Sequence, residues 1–177
     1  MRVDQLFDLT GRAAIVTGGS RGLGLEIAEG LAEAGASLML CARREQWLTP
    51  TLEEFRKHGV RAEGLVCDVA DEQQVQSVVA ATMNAFGHID ILVNNAGISW
   101  GERPETMALD KFRKVLDTNL TGAFLFAQAA GRVMLSAKRG SIINIASVAG
   151  LRSAVQGPHY AGYVASKAAL MGLTREL

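Results

Sequence analysis

Two residues of this chain have the types and the spacing needed for proton transfer. Tyr163 and Lys167 lie four residues apart in the run Tyr163-Val164-Ala165-Ser166-Lys167. On a helix, residues four apart share one face, with β-carbons about 5–6 Å apart. An ammonium held beside a phenol favours the phenolate, so a tyrosine in such a pair can exchange a proton with a substrate oxygen near neutral pH. The spacing alone is weak support, because the same pair occurs by chance on many solvated helix faces.

A glycine-rich segment near the amino terminus has the pattern of a phosphate-binding turn. The run Thr17-Gly18-Gly19-Ser20-Arg21-Gly22-Leu23-Gly24 follows an apolar run at 13–16, which is typical of a buried strand. It precedes apolar residues at helical spacing, and a turn in that position can hold a pyrophosphate through backbone N–H groups and the helix N-terminus. We assign the tight turn to Gly18, the close approach of backbone to phosphate to Gly22, and the packing of helix on strand to Gly24. Any one of these glycines could instead lie in a surface turn, but the three together favour a nucleotide site.

Composition and charge limit the class of protein. The 177 residues suit a single domain, and a hydrophobic content of 49% is ample for a core. The formal charge of zero gives no electrostatic reason to expect nucleic acid or an anionic membrane as a partner. No apolar stretch approaches the about 20 residues that span a bilayer, and residues 1–5 lack the apolar region of a signal peptide. We therefore expect a cytoplasmic protein with no membrane partner.

The cysteines and histidines do not predict a metal site. Cys41 and Cys67 follow apolar, strand-like runs without metal-ligand spacing, so we expect buried reduced thiols. The three histidines are scattered along the chain, at His58, His88 and His159. A zinc site is therefore not expected.

Strand-like and helix-like segments alternate along the chain. Short apolar strands separated by helices predict a parallel sheet covered on both faces, with right-handed crossovers. The fold class is thus α/β, a doubly wound, Rossmann-type parallel sheet in one domain. The predicted strands are 13–16, 37–42, 62–67, 89–93 and 141–146. The first predicted helix follows the glycine segment, and the second contains 48–55 and ends near Gly59. The third starts at the cap Asp71 and stops at Gly87. The fourth extends from about 109 to 138 with Gly140 as its C-cap, and the fifth begins near 161.

The residues after the second predicted strand favour one nicotinamide cofactor. In a dinucleotide fold, an acidic residue there accepts from a free ribose 2′-hydroxyl, whereas an arginine pairs with a 2′-phosphate. This chain has Arg43 and Arg44 at that point, and Arg21 in the glycine segment is a further cation. A guanidinium suits phosphate well, although these arginines could be simple surface charges. NADP(H) is therefore favoured over NAD(H).

Together these motifs resemble the short-chain dehydrogenase/reductase family, in the branch with Thr-Gly-x-x-x-Gly-x-Gly and Tyr-x-x-x-Lys. The matching motifs follow the family's order over nearly the whole chain: 17–24, Asp68-Val69, Asn94-Asn95-Ala96-Gly97, Asn119, Ser147, Tyr163 and Lys167. The opening segment 6–12 is similar to that of gluconate 5-dehydrogenases and related sugar dehydrogenases.

The resemblance implies four catalytic residues. Ser147 would hold the substrate oxygen, and Tyr163 would exchange the proton. Lys167 would bind the nicotinamide ribose while tuning Tyr163. Asn119 would interrupt its helix and hold a water that links Lys167 to solvent. Hydride transfer leaves alkoxide character on one oxygen, so a hydroxyl donor and an acidic phenol stabilise that charge as it develops.

The resemblance also implies a set of cofactor-binding residues. Asp68 would accept from the adenine amino group, with Val69 beside the ring, whereas Asn94 could be purely structural. The full set is Gly18, Ser20, Arg21, Gly22, Leu23, Gly24, Arg43, Arg44, Asp68, Val69, Asn95, Ala96, Gly97, Tyr163 and Lys167.

The chain departs from the family pattern in two places. The segment 148–162 is a few residues longer than usual and contains Gly157 and Pro158, so we predict a loop over the site. The chain also ends at Leu177 inside a predicted helix, whereas family members continue through two more strands and a substrate-covering loop. We therefore expect 1–177 to be a C-terminally incomplete dinucleotide-binding domain, with unpaired groups on its fifth strand.

The resemblance implies an NADP(H)-dependent oxidoreductase that interconverts a secondary alcohol and a ketone. A sugar acid or polyol is the first substrate expectation, followed by a 3-oxoacyl thioester and then steroid-like or xenobiotic carbonyls. Two other classes stay open: an NADPH-binding sensor or assembly protein without turnover, and a structural interaction module that binds no NADPH. Family members commonly form dimers or tetramers, so a homo-oligomer is expected, either a dimer or a homotetramer.

Overall fold

The computed structural model describes residues 6–152 and 159–177, a part of the chain that contains five strands and six α-helices. Residues 1–5 and 153–158, which include Gly157 and Pro158 of the predicted loop, lie outside the described residues. The elements in chain order are β1 (Ala13–Thr17), α1 (Gly22–Glu33), β2 (Ser37–Ala42), α2 (Glu45–Lys57), β3 (Ala62–Val66), α3 (Glu72–Phe86), β4 (Ile91–Asn94), α4 (Leu109–Leu116), a π-helix (Asp117–Thr121), α5 (Gly122–Ala137), β5 (Ser141–Asn144), a 3₁₀ turn (Val148–Gly150) and α6 (Ala161–Glu176).

The strands form one parallel sheet with the order β3-β2-β1-β4-β5. Ile15 in β1 aligns with Met39 in β2 on one side and with Leu92 in β4 on the other. The chain therefore builds outward from β1 in one direction and then returns to build outward from β4 in the other. This topology confirms the predicted doubly wound sheet, and it leaves a crevice at the carboxyl ends of β1 and β4.

Successive residues of the central strands belong to two different cores. Ile15 and Met39 lie with Phe126 in the core shared with α3 and α5. Leu38 and Leu40 point to the other face, where they join the core shared with α1 and α2. Because helices cover both faces, the strands are apolar throughout instead of alternating with polar residues.

The ends of α3 follow the sequence prediction. The Asp71 carboxylate accepts from the backbone N–H groups of Gln73 and Gln74 at 2.9 and 3.1 Å. Gly87 ends the helix with a φ of 81°, a left-handed conformation that glycine adopts without steric cost.

The end of α5 differs from the prediction that Gly140 caps it. Lys138 is the left-handed residue, with a φ of 51°. The Arg139 N–H then donates to the Met134 carbonyl at 3.1 Å, which closes the helix two residues early. Gly140 is needed for space, because a β-carbon there would lie 2.4 Å from Cγ of Met134.

The predicted long helix is divided by the π-helix into α4 and α5. By length and composition alone, the helical run Leu109–Ala137 is apolar enough to cross a membrane, which differs from the expectation that no stretch is long enough. In the fold, Phe126, Ala130 and Met134 of this run are buried in the core against the sheet.

Candidate active site

A cleft of about 270 Å³ lies at the carboxyl ends of the central strands. The glycine segment forms one wall, and residues 95–98 after β4 form the other. A second hollow of about 400 Å³ continues from it towards α6. The residues that line both are Leu23, Asn95, Gly97 and Ile98. Because the same residues line both, the two spaces adjoin each other.

The glycine segment is shaped by backbone requirements. Gly18 has a φ of 67°, and its N–H donates to the Cys41 carbonyl at 2.8 Å. Gly22 has a φ of 53°, and a β-carbon there would meet no atom within 4 Å, so the space beside it is open. A β-carbon on Gly24 would lie 2.3 Å from the Gly18 carbonyl oxygen. The sequence predicted that Gly24 packs the helix on the strand, whereas in the structure its close contact is with the turn itself.

Thr17 and Asn95 fasten the two walls of the cleft together. Thr17 Oγ1 accepts from the backbone N–H groups of Asn95 and Ala96, both at 3.0 Å. The Asn95 side-chain amide donates to the Thr17 carbonyl at 2.9 Å. Asn95, Ala96 and Gly97 line the cleft as expected. The side-chain amide of Asn95, however, donates its hydrogen bond to the backbone of Thr17. The role of Thr17 was missed, although it begins the glycine motif.

The N-terminus of α1 faces this cleft without a side-chain cap. Arg21 is the N-cap residue and makes no side-chain capping hydrogen bond, and the first turn contains no acidic residue. Ser20, Arg21 and Leu23 all line the cleft. Unfilled N–H donors and the positive end of a helix dipole favour an anion here. The open space at Gly22 and these donors fit the pyrophosphate of a dinucleotide.

Three arginines lie at the rim of the same cleft. Arg21, Arg43 and Arg44 all line it and are exposed. The guanidinium carbons of Arg21 and Arg44 lie 4.1 and 4.6 Å from the ring centroid of Trp47. Trp47 was missed by the sequence reasoning, although its position three residues after Arg44 on a helix was a signal for contact.

The expected adenine contacts are only partly assembled. Val69 is buried and lines the cleft. Asp68 borders a separate shallow hollow, and its carboxylate accepts from the Ala70 N–H at 3.1 Å. Asp68 thus stabilises the turn before α3 in this structure, while Val69 forms part of the cleft wall.

Tyr163 and Lys167 lie on the wall of the second hollow, as their spacing predicts. Nζ of Lys167 lies 5.7 Å from the centroid of the Tyr163 ring and donates to the Ile145 carbonyl at 2.5 Å. The side chain is only 5% exposed, and this burial lowers the pKa of Lys167 below its ordinary value. Within residues 6–152 and 159–177, no carboxylate pairs with this ammonium.

Ser147 is the N-cap of the 3₁₀ turn; it directly follows Ala146, which lines this hollow, but Ser147 itself does not line it. Its Oγ accepts from the Ala149 N–H at 3.2 Å, which leaves its own O–H free to donate. The turn packs directly on α6, because a β-carbon on Gly150 would lie 2.8 Å from the carbonyl carbon of Lys167. Within the described residues, no hydrogen bond joins the hydroxyls of Ser147 and Tyr163.

Asn119 lies in the π-helix, where the resemblance expected a helix interruption. Its amide donates to the Ile98 carbonyl at 2.9 Å and to Ser166 Oγ at 3.0 Å, while its Oδ1 accepts from the Ile98 N–H at 2.8 Å. These contacts tie the segment after β4 to the helix that carries Lys167. The side chain is occupied by protein partners, so the water-holding role stays a prediction.

Asn94 and Tyr160 are two further residues near the site. Asn94 is buried and donates to the Ala123 carbonyl and to Asn144 Oδ1, which agrees with the structural alternative. Tyr160 lines the second hollow together with Tyr163, although the chain has Val164 and no cation four residues after it. Sequence spacing could exclude Tyr160 from the proton-transfer pair but could not reveal that it forms part of the wall.

The cysteines are free and buried, as expected. Within the part of the chain that the structure describes, no cluster of His, Cys, Asp or Glu could hold a metal ion.

The parallel sheet, its crevice and the glycine segment before α1 define a dinucleotide-binding α/β protein. Residues 12–177 match the family described as short chain dehydrogenase, and the chain belongs to that family.

Three known proteins show the range of its relatives. The assigned ketoacyl reductase 1 of the granaticin polyketide synthase of Streptomyces violaceoruber is 46% identical over 93% of this chain and 60% of that protein. A gluconate 5-dehydrogenase from Burkholderia cenocepacia, solved with NADP and tartrate, is 38% identical with a TM-score of 0.90, over 99% of this chain and 68% of that one. A short chain dehydrogenase/reductase from Burkholderia phymatum, solved with NAD, is 32% identical with a TM-score of 0.91, over 96% and 59%. The chain thus spans about three fifths of the length of the Streptomyces relative.

Proposed function

We propose that this protein is an NADP(H)-dependent oxidoreductase that interconverts a secondary alcohol and a ketone. The observation that carries the proposal is the position of Tyr163 beside the buried Lys167. Both line a hollow that continues into a cleft bordered by the glycine segment. A proton-transfer group and a phosphate-binding turn on one continuous surface suit hydride transfer to or from a carbon that carries oxygen.

The residues of the chain would handle the oxygen and its proton. A bound nicotinamide supplies or accepts the hydride. During reduction, the Ser147 O–H donates a hydrogen bond to the substrate oxygen, and the Tyr163 hydroxyl gives its proton to that oxygen as negative charge develops there. The Lys167 ammonium stabilises the phenolate that remains. In the oxidation direction, the phenolate takes the proton from the alcohol.

Support for NADP(H) comes from the three arginines at the cleft rim. Arg21, Arg43 and Arg44 line the cleft, and a 2′-phosphate is the part of NADP(H) that such cations recognise. The relatives do not decide the matter, since one solved structure contains NADP and another contains NAD.

A sugar acid or polyol is the first proposed substrate. It is supported by the similarity to a gluconate 5-dehydrogenase solved with tartrate. A 3-oxoacyl thioester is the second candidate, which the 46% identity to an assigned ketoacyl reductase favours.

We also propose self-association in the cytoplasm, as a dimer or tetramer formed through the helices on one side of the sheet. Phe124 of α5 is 42% exposed. Leu135 of the same helix is 79% exposed, and exposed apolar side chains on a helix whose other face packs on the sheet are suited to contact with a second copy.

The proposed activity is tested by following nicotinamide absorbance with purified protein. Gluconate-type ketoacids, polyols and a 3-oxoacyl thioester are each presented with NADPH or NADP⁺, and in parallel with NADH or NAD⁺. Turnover of at least one substrate, faster with the phosphorylated cofactor, is the expected result. Tight NADPH binding without turnover of any substrate would instead support a sensor or assembly protein, and no NADPH binding would support a structural module.

A further inference from the structure

A single aromatic ring joins the two loops that carry cations at the cleft rim. Arg21 is the N-cap of α1 after β1, and Arg44 is the N-cap of α2 after β2. Their guanidinium carbons lie 4.1 and 4.6 Å from the ring centroid of Trp47, which lies in the first turn of α2. Both distances are within the range of cation–π attraction. The ring therefore holds two cations from different loops in one place.

Within the described residues, no carboxylate neutralises either of these guanidiniums. Glu45 directly follows Arg44 in the chain, yet neither Arg44 nor Arg21 pairs with a carboxylate in the ranges 6–152 and 159–177. By contrast, Arg56 on the same helix pairs with Glu63 at 2.7 Å. Two like charges beside one ring repel each other, so an anion at this point would offset the repulsion.

The helix that carries Trp47 has a separate attachment to the glycine segment. The Thr51 hydroxyl lies 3.2 Å from the Ser20 carbonyl and 2.8 Å from the Trp47 carbonyl. Leu48 and Leu52 bury the other side of the helix in the core. The helix α2 is therefore held by contacts other than those of the indole ring, which lies against the two arginines.

From these contacts, we infer that Trp47 is a positioning residue for cofactor selection. It holds Arg21 and Arg44 as a preformed clamp for a phosphate monoester dianion at the ribose 2′ position. The inference rests on the proposed NADP(H) preference and names the residue that makes the arginines effective. Trp47 also lines the cleft, and its proposed part is to hold the two arginines in place.

The energetic advantage comes from order that exists before binding. An exposed arginine side chain loses rotamer freedom when it binds an anion, and this loss reduces affinity. Stacking on Trp47 restricts both guanidiniums in the free protein, so less freedom is lost on binding. NADH lacks the 2′-phosphate and gains nothing from the clamp.

The test compares Trp47→Leu with wild type by calorimetric titration of NADPH and NADH. The Kd for NADPH should rise about tenfold, whereas the Kd for NADH should change less than about twofold. Trp47→Phe keeps an aromatic face and should retain most of the NADPH affinity. Trp100→Leu is the matched control, because the Trp100 ring has a different cation partner: its centroid lies 5.0 Å from Nζ of Lys111. This variant should leave the ratio of the two affinities unchanged.

The outcomes separate this inference from the proposed cofactor preference. If wild type prefers NADPH and Trp47→Leu keeps the same ratio, the clamp is wrong and the preference stands. An equal loss of affinity for both cofactors would also overturn the clamp, because it would show a general structural defect. A wild type that does not prefer NADPH would overturn the preference itself, and the clamp with it. Thermal unfolding of each variant confirms that it is folded.

Discussion

The fold destabilises the charged form of Lys167 by burying its side chain. Burial lowers its pKa below the ordinary 10.5, while the unfolded chain keeps the ordinary value. Between those two values the unfolded state binds more protons, so the free energy of unfolding rises with pH through that window. In Lys167→Met the group is absent. The difference in unfolding free energy, wild type minus variant, should therefore become more positive as the pH approaches 10.5.

Urea denaturation of both proteins between neutral and alkaline pH measures this difference. Lys57→Met is the control, because Lys57 is 73% exposed and its removal should leave the pH dependence parallel to wild type. Parallel curves for Lys167→Met as well would mean that its ammonium is not destabilised by burial.

At the residue scale, the sequence predicted what depends on local spacing. Tyr163 and Lys167 are one helical turn apart, so the helix alone brings them to one wall. The contact of Asn119 with Ile98 joins residues that are distant in the chain, and no periodicity reports it. The roles assigned to these side chains from the family resemblance remain predictions.

At the element scale, the strands and helices followed from apolar periodicity and caps, while some boundaries did not. The predicted strand 89–93 begins at Ile91 in the structure. The residue before it, Asp90, accepts from the Ala13 N–H at the amino ends of the strands. The predicted strand 141–146 ends at Asn144, after which the chain turns towards α6. The C-cap at Lys138 replaced the predicted glycine because the following backbone bonds satisfy the helix end without one.

The glycine segment gives a prediction at this scale. In Gly24→Ala the new β-carbon would collide with the Gly18 carbonyl, at 2.3 Å, and with the Asn95 amide, at 2.4 Å. The turn must shift, so we expect a loss of about 1–3 kcal/mol in the free energy of unfolding and a weaker Kd for NADPH. Urea denaturation and calorimetric titration measure the two effects.

Gly30→Ala on the same helix is the matched control, since its β-carbon would meet no atom within 4 Å. It should increase the free energy of unfolding by about 0.5–1 kcal/mol and leave the Kd for NADPH unchanged. Equal behaviour of the two variants would contradict the close packing assigned to Gly24.

In the whole molecule, the candidate active site and a cluster of stabilising contacts around Asp90 lie at opposite ends of the parallel strands. The cleft lies at the carboxyl ends of the strands, whereas Asp90 lies before β4 at the opposite edge. Its buried carboxylate accepts from the Ala13 N–H at 3.0 Å and pairs with Arg12 and Arg139, both at 3.1 Å. One side chain thus ties the starts of β1 and β4 to the residues before β5.

Asp90→Ala should therefore destabilise the protein without weakening the cofactor site. We expect a loss of about 2–3 kcal/mol in the free energy of unfolding, because a buried N–H and two guanidiniums lose their acceptor. Glu105→Ala removes a carboxylate from an exposed pair with Arg103 and should cost less than about 0.5 kcal/mol. A large rise in the Kd for NADPH of Asp90→Ala, measured well below its melting temperature, would contradict this separation.

The doubly wound sheet and the family were thus predictable from the whole chain. Alternating apolar strands and helices allow few topologies, and residues 12–177 match the short chain dehydrogenase family. The substrate could not be derived in the same way, because it depends on how side chains from several loops shape one hollow. The spacing of residues along the chain does not encode that shape.

In the proposed mechanism, Tyr163 exchanges a proton with the substrate oxygen while the carbon bonded to that oxygen exchanges hydride with the nicotinamide. The most direct measurement is kcat of Tyr163→Phe with the best substrate, alongside the Kd of the same variant for NADPH. We expect kcat to fall about 10²–10⁴-fold while the Kd stays within about twofold of wild type, because only the ionisable hydroxyl is lost. Turnover close to wild type in Tyr163→Phe would contradict the claim.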